Sequence, residues 1–224
     1  MNNFENKHPR AKDGKFTKKA RKESGLSLDA TETDARLVKP VIPADLGKAG
    51  DETVRQIRKD NPDLPNGYYG PLGWTKKTGV TDIMEKHVNS RMSIGGDFKR
   101  FHNLHGEDAG ELLKVLPKVA LEDRQNDSPT LGSMLAACAA NPGKVHLSGY
   151  LIGDSRVDER ISVDTILVSD PGASKYCQLN AREAKEIWSK CGEELGLDAI
   201  GSPDEVHGTE EGENHPRSWV MWWD

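Results

Sequence analysis

Three acids and two arginines crowd the segment Asp154-Ser-Arg-Val-Asp-Glu-Arg160, and Asp164 and His146 stand close to it on the flanking runs. Carboxylates gathered in this way can hold Mg²⁺ for phosphodiester hydrolysis. Asp154, Asp158, Glu159 and Asp164 would be the ligands and His146 the proton-transfer group. The plainer reading is a solvated turn whose opposite charges pair with one another, each pair worth about 0–1 kcal/mol. The plainer reading is preferred.

Other templates give less. His102-Asn-Leu-His105 spaces two imidazoles one helical turn apart, with His87 upstream, but no Glu lies between them as in a zinc-protease helix. Cys138, Cys177 and Cys191 lack metal-ligand spacing, and two of them fall on apolar helical faces where a thiol is packing. Neither a metal nor a cofactor is therefore expected. Ser93-Ile-Gly-Gly-Asp-Phe-Lys-Arg100 offers glycines and two basic residues to a phosphate, yet it reads more simply as a turn. No nucleophile elbow occurs. Cys177, just before a helix, is the thiol best placed to be reactive. No catalytic motif is found, and a non-enzyme is favoured.

Charge and aromatic residues supply the binding candidates. The chain has 224 residues, 31 Lys+Arg and 36 Asp+Glu, a formal charge of −5. Residues 1–24 hold eight basic and three acidic side chains, so a basic arm precedes an acidic body. Lys15, Lys18, Lys19, Arg21 and Lys22 are its candidate contacts to nucleic-acid phosphates or an acidic partner. Trp219, Trp222 and Trp223 crowd the last six residues. They either close a core or anchor a partner, and the acidic run Asp204–Glu213 before them favours a protein over nucleic acid.

These residues need elements to position them. Apolar side chains are too sparse through about residue 45 to repay backbone ordering, so 1–45 reads as a disordered basic tail. Residues 46–224 read as a single domain, with 46–105 either part of it or a loosely attached helical cap. Ala49–Asp60 is helical, with Asp51 as cap. Leu112, Leu113, Leu116 and Val119 recur at helical spacing, although Pro117 divides them. Asp97 is read as capping a turn that begins at Phe98. Ser128-Pro129 starts a helix whose inner face is Leu131, Met134, Leu135, Cys138 and Ala139. Asn180 with Glu183 makes a capping box for a second long helix that stops at Gly196.

Between them Val145, Leu147, Gly149 and Leu151 alternate with His146, Ser148, Tyr150 and Ile152, and Ile161–Ser169 alternates likewise. Two such runs joined by a polar loop form an antiparallel hairpin over about 144–169, whose His146–Tyr150 side is a candidate polar contact face. Residues 218–223 add a terminal strand that must be paired and covered. The fold class is α+β: a small antiparallel sheet packed against several helices. No apolar run is long enough to span a bilayer. The odd cysteine count fits a reduced, cytoplasmic chain.

The function expected is that of a non-enzymatic accessory protein. It would bind a protein partner through its sheet or aromatic strand and attach electrostatically through its arm. The metal-dependent phosphodiester hydrolase is the alternative.

Overall fold

A period-2 apolar pattern buries one face per strand, and the hairpin shows what this pattern builds. In the computed structural model, which describes residues 36–88, 97–212 and 215–224, β2 (Val145–Ile152) and β3 (Arg160–Ser169) pair antiparallel from Val145↔Val168 to Ile152↔Arg160. The register slips between Ser148 and Gly149. Gly149 is needed there, because a Cβ at this position would lie 2.0 Å from the Ser162 carbonyl oxygen.

The sheet is larger than the sequence pattern implies. Five antiparallel strands run in the order β1-β2-β3-β5-β4, where β1 is Phe98–Leu104, β4 is Glu205–Thr209 and β5 is Ser218–Trp222. The turn expected from Phe98 onward is thus a strand, bonded to β2 from Phe98↔Ile152 to Leu104↔Leu147. The acidic run contains another, paired with β5 from Glu205↔Trp222 to Thr209↔Ser218. The aromatic strand β5 therefore lies inside the sheet, between β3 and β4.

One sheet face carries Leu147, Leu151, Val163, Ile166, Val168 and Met221 into the main core. The helices meet it there. α4 (Gly106–Val115) contributes Leu112, and α6 (Leu131–Ala140) contributes Met134, Leu135 and Cys138. α7 (Ala181–Leu195) contributes Cys191 and Leu195. The Asn180 capping box and the left-handed Gly196 stop of α7 form as expected. α6 is capped by Thr130 rather than Ser128, whose hydroxyl instead accepts the N–H of Gln125. Pro117 separates α4 from the short α5 (Lys118–Leu121).

Upstream, α1 (Lys48–Asp60) starts at a left-handed Gly47. Asp51 does not cap it; its carboxylate accepts the N–H of Lys118 and ties α1 to α5. α2 (Trp74–Lys77) and α3 (Val80–Met84) place Trp74, Val80 and Met84 in the same core cluster as the sheet. Residues 36–224 form one compact unit. Residues 36–45 have no regular structure, but the Asn141 side chain holds both the N–H and the carbonyl of Val38. The rest of the segment read as a tail, including its basic contacts, lies outside the described residues. Among the described residues no helix is long and apolar enough to cross a membrane.

Candidate metal centre

Three elements converge where β1 ends. A 3₁₀ turn, Glu85–His87, follows α3, and Val88 forms an antiparallel bridge to Phe101 of β1, which draws His87 alongside that strand. β1 stops at Leu104, and extended His105 leads directly into α4. Asp108 is then in the first helical turn, where a carboxylate is favoured by the helix dipole. Strand end, turn and helix start thus bring His87, His105 and Asp108 to one place.

Both imidazoles address the same carboxylate oxygen. Asp108 Oδ2 is 2.7 Å from His87 Nε2 and 3.1 Å from His105 Nε2, while Oδ1 takes Lys86 Nζ at 2.7 Å. One ligand-type atom from each of the three residues lies within 4.8 Å of the others. The two rings meet edge to face, with centroids 5.0 Å apart. The Asp108 side chain is 2% exposed and that of His87 6%, whereas His105 is 43% exposed, so the cluster opens to solvent on the His105 side.

The electrostatics fit a poised ligand set. Burial works to raise the Asp108 carboxyl, but the Lys86 and His87 bonds outweigh it and hold the group below its ordinary range. Burial takes His87 below the usual imidazole value, against the upward pull of Asp108. These directions favour an anionic Asp108 and a neutral His87, and the Nε2 proton now bridging to Oδ2 has to leave before a metal can bind there. Imidazole nitrogen and carboxylate oxygen suit first-row transition ions. Around such an ion tetrahedral ligand atoms stand roughly 3.3 Å apart, so the 2.7 Å contact of Asp108 with His87 has to open by about 0.6 Å and the 3.1 Å contact with His105 by about 0.2 Å.

The sequence signal for this site was partial. The His-x-x-His pair and upstream His87 were visible, but His102 is exposed and takes no part. Asp108, three residues beyond His105, completes the set, and His-x-x-Asp at a helix start was the signal to follow.

The hairpin acids take separate partners. Glu159 is buried and accepts the N–H groups of Gly73 and Thr75. Asp158 pairs with Arg156 at 2.8 Å and with Arg160 at 3.6 Å. Asp164 pairs with Arg100, and Asp154 is exposed. His146 is 6% exposed, and its Nδ1 is buried with no hydrogen-bond partner among the described residues. Among the described residues these five form no metal-type cluster. The polar side of the hairpin is buried rather than open, with Tyr150 stacked on Phe98 and its hydroxyl bonded to Gln125.

The tryptophans divide. Trp219 is buried and donates to Asp170, and Trp223 is buried edge-on against Trp188. Trp222, on the opposite side of β5, is half-buried. Burial pushes the Cys138 thiol up to about 12 and Cys191 to about 11, while Cys177 is exposed. Comparison of the chain with protein-family models, with curated proteins and with solved structures returned no match.

Proposed function

We propose that the protein binds one divalent transition-metal ion through His87, His105 and Asp108 and presents it to a small exogenous ligand. The observation that carries this reading is the meeting of two imidazole nitrogens and a buried carboxylate oxygen within 4.8 Å. Three protein ligands with an accessible side is the ligand count of catalytic zinc sites, whereas structural sites close with four. The ion would supply Lewis acidity. The chain's own groups do the rest: His87 and Asp108 fix the buried wall, Lys86 holds the second carboxylate oxygen, and His105 forms the exposed rim.

Metal uptake tests the reading. Chelator-stripped protein titrated with Zn²⁺ or Co²⁺ should bind one equivalent, and His105→Ala or Asp108→Asn should weaken binding about 100-fold or more. Equal affinity in wild type and both variants would sink it. The accessory-protein reading rests on half-buried Trp222 and on the basic segment outside the described residues. It becomes the leading reading if no metal binds.

A further inference from the structure

We propose that the exogenous ligand of the His87–His105–Asp108 centre is a small anion, held between the ion and the imidazole of His146. This inference rests on the metal reading and adds the class of ligand.

Position comes first. Leu104 of β1 pairs with Leu147 of β2, and one step beyond that pair stand His105 and His146. Burial draws the His146 imidazole below its usual value, and His215 and then His105 act in the same direction. By strand position His146 therefore stands beside His105, the exposed rim of the centre, and not beside His87 or Asp108.

The second observation is an unmet need. His146 is 6% exposed, and its Nδ1 is fully buried without a hydrogen-bond partner among the described residues. A buried ring nitrogen with nothing to bond is costly, and such atoms commonly mark where a ligand or water belongs. A ligand that offers one atom to the metal and another to Nδ1–H would answer that need.

Charge then selects the class. A divalent ion held by one carboxylate and two imidazole nitrogens keeps a net positive charge. Lys86 is exposed, as are Asp82, Glu85, Glu107 and Glu111 around it, and solvent screens all five, so the charge a ligand meets is that of the ion and its direct ligands. The excess favours an anion with at least two acceptor atoms, as in a carboxylate, phosphate or bicarbonate. A neutral ligand would leave the excess charge uncompensated.

The test uses Co²⁺-loaded full-length protein with azide as the probe and inorganic phosphate and acetate as competitors. Azide should change the visible Co²⁺ spectrum saturably, and whichever of phosphate or acetate displaces it at lower concentration names the natural anion type. His146→Leu should weaken azide about tenfold or more while Co²⁺ affinity stays within about twofold. His146→Asn keeps a donor near the Nδ1 position and should recover most of the loss. Equal azide affinity in wild type and His146→Leu overturns the inference, as does a Co²⁺-protein that ignores azide. If His146→Leu fails to fold, His146→Gln is read in its place, since its amide sits at the other ring nitrogen. Absence of Co²⁺ uptake by wild type removes the metal reading itself, a result distinct from the others.

Discussion

Glu159 and Thr75 stand 84 positions apart, yet one carboxylate oxygen of Glu159 accepts both the N–H and the hydroxyl of Thr75. The other oxygen takes the N–H of Gly73 at 2.7 Å, and the Glu159 carbonyl accepts Trp74 Nε1 at 3.2 Å. The glutamate is a clamp between the hairpin and the loop that delivers Trp74 to the core. Its carboxylate satisfies three donors, two of them on buried Thr75, where water does not reach.

Glu159→Ala should therefore cost about 3 kcal/mol, since each buried donor left without an acceptor costs about 1–3 kcal/mol. Glu159→Gln keeps one acceptor oxygen and should cost less. Urea unfolding measures both. A loss below about 0.5 kcal/mol for the alanine variant would show that the clamp is dispensable.

Lys86 competes with any ion for the charge of Asp108. Removing its ammonium relieves repulsion toward the metal and leaves the carboxylate a stronger base, and both effects act in the same direction. Lys86→Met should tighten Zn²⁺ binding about threefold to tenfold and loosen azide on the Co²⁺-protein. Weaker Zn²⁺ binding would show instead that Lys86 is needed to orient the carboxylate.

Tyr69 gives the fold an alkaline limit. Burial, then the hydrogen bond to Asp123, pushes its phenol from 10.0 to about 12. Above pH 10 the unfolded chain releases this proton while the folded chain retains it, so stability falls as pH rises through 10–12. Cys138 and Cys191 add slopes of the same sign, from 9.0 to about 12 and about 11. The difference between wild type and Tyr69→Phe isolates the tyrosine. The variant should show a shallower decline in urea midpoint across that range, and identical slopes would refute the assignment.

The hairpin, α6 and α7 were legible in the sequence because each buries a regular stripe, period 2 in β2 and β3 and helical spacing in the other two. β1 and β4 were not. β1 buries only Phe101 and Leu104, and the register shift between them, with Asn103 at φ 54°, erases the alternation. β4 buries only Gly208, so charge dominates its appearance. The same irregularity hid the metal centre. Read as one helical turn, His102 and His105 should share a face. On a strand broken by a left-handed Asn103, His105 reaches Asp108 and His102 does not. Asp108 and His87 meet only through tertiary structure, which no local spacing announces. The hairpin acids illustrate the converse: Asp158, Glu159 and Asp164 are drawn apart by arginines and backbone donors that pattern reading does not weigh, and Asp154 faces solvent.

A sheet ordered β1-β2-β3-β5-β4 also sets a timetable. β5 joins β3 to β4, and β4 has no other strand partner in the sheet. As the chain is made from its N-terminal end, the first three strands can assemble while β4 waits without a neighbour. Until residues 218–222 emerge, one side of β3 offers bare backbone hydrogen bonds beside an apolar face, which is a template for pairing between nascent chains. Translation that stalls after β4 would thus leave a three-strand intermediate with a sticky flank, which only a chaperone could keep from pairing with its neighbours.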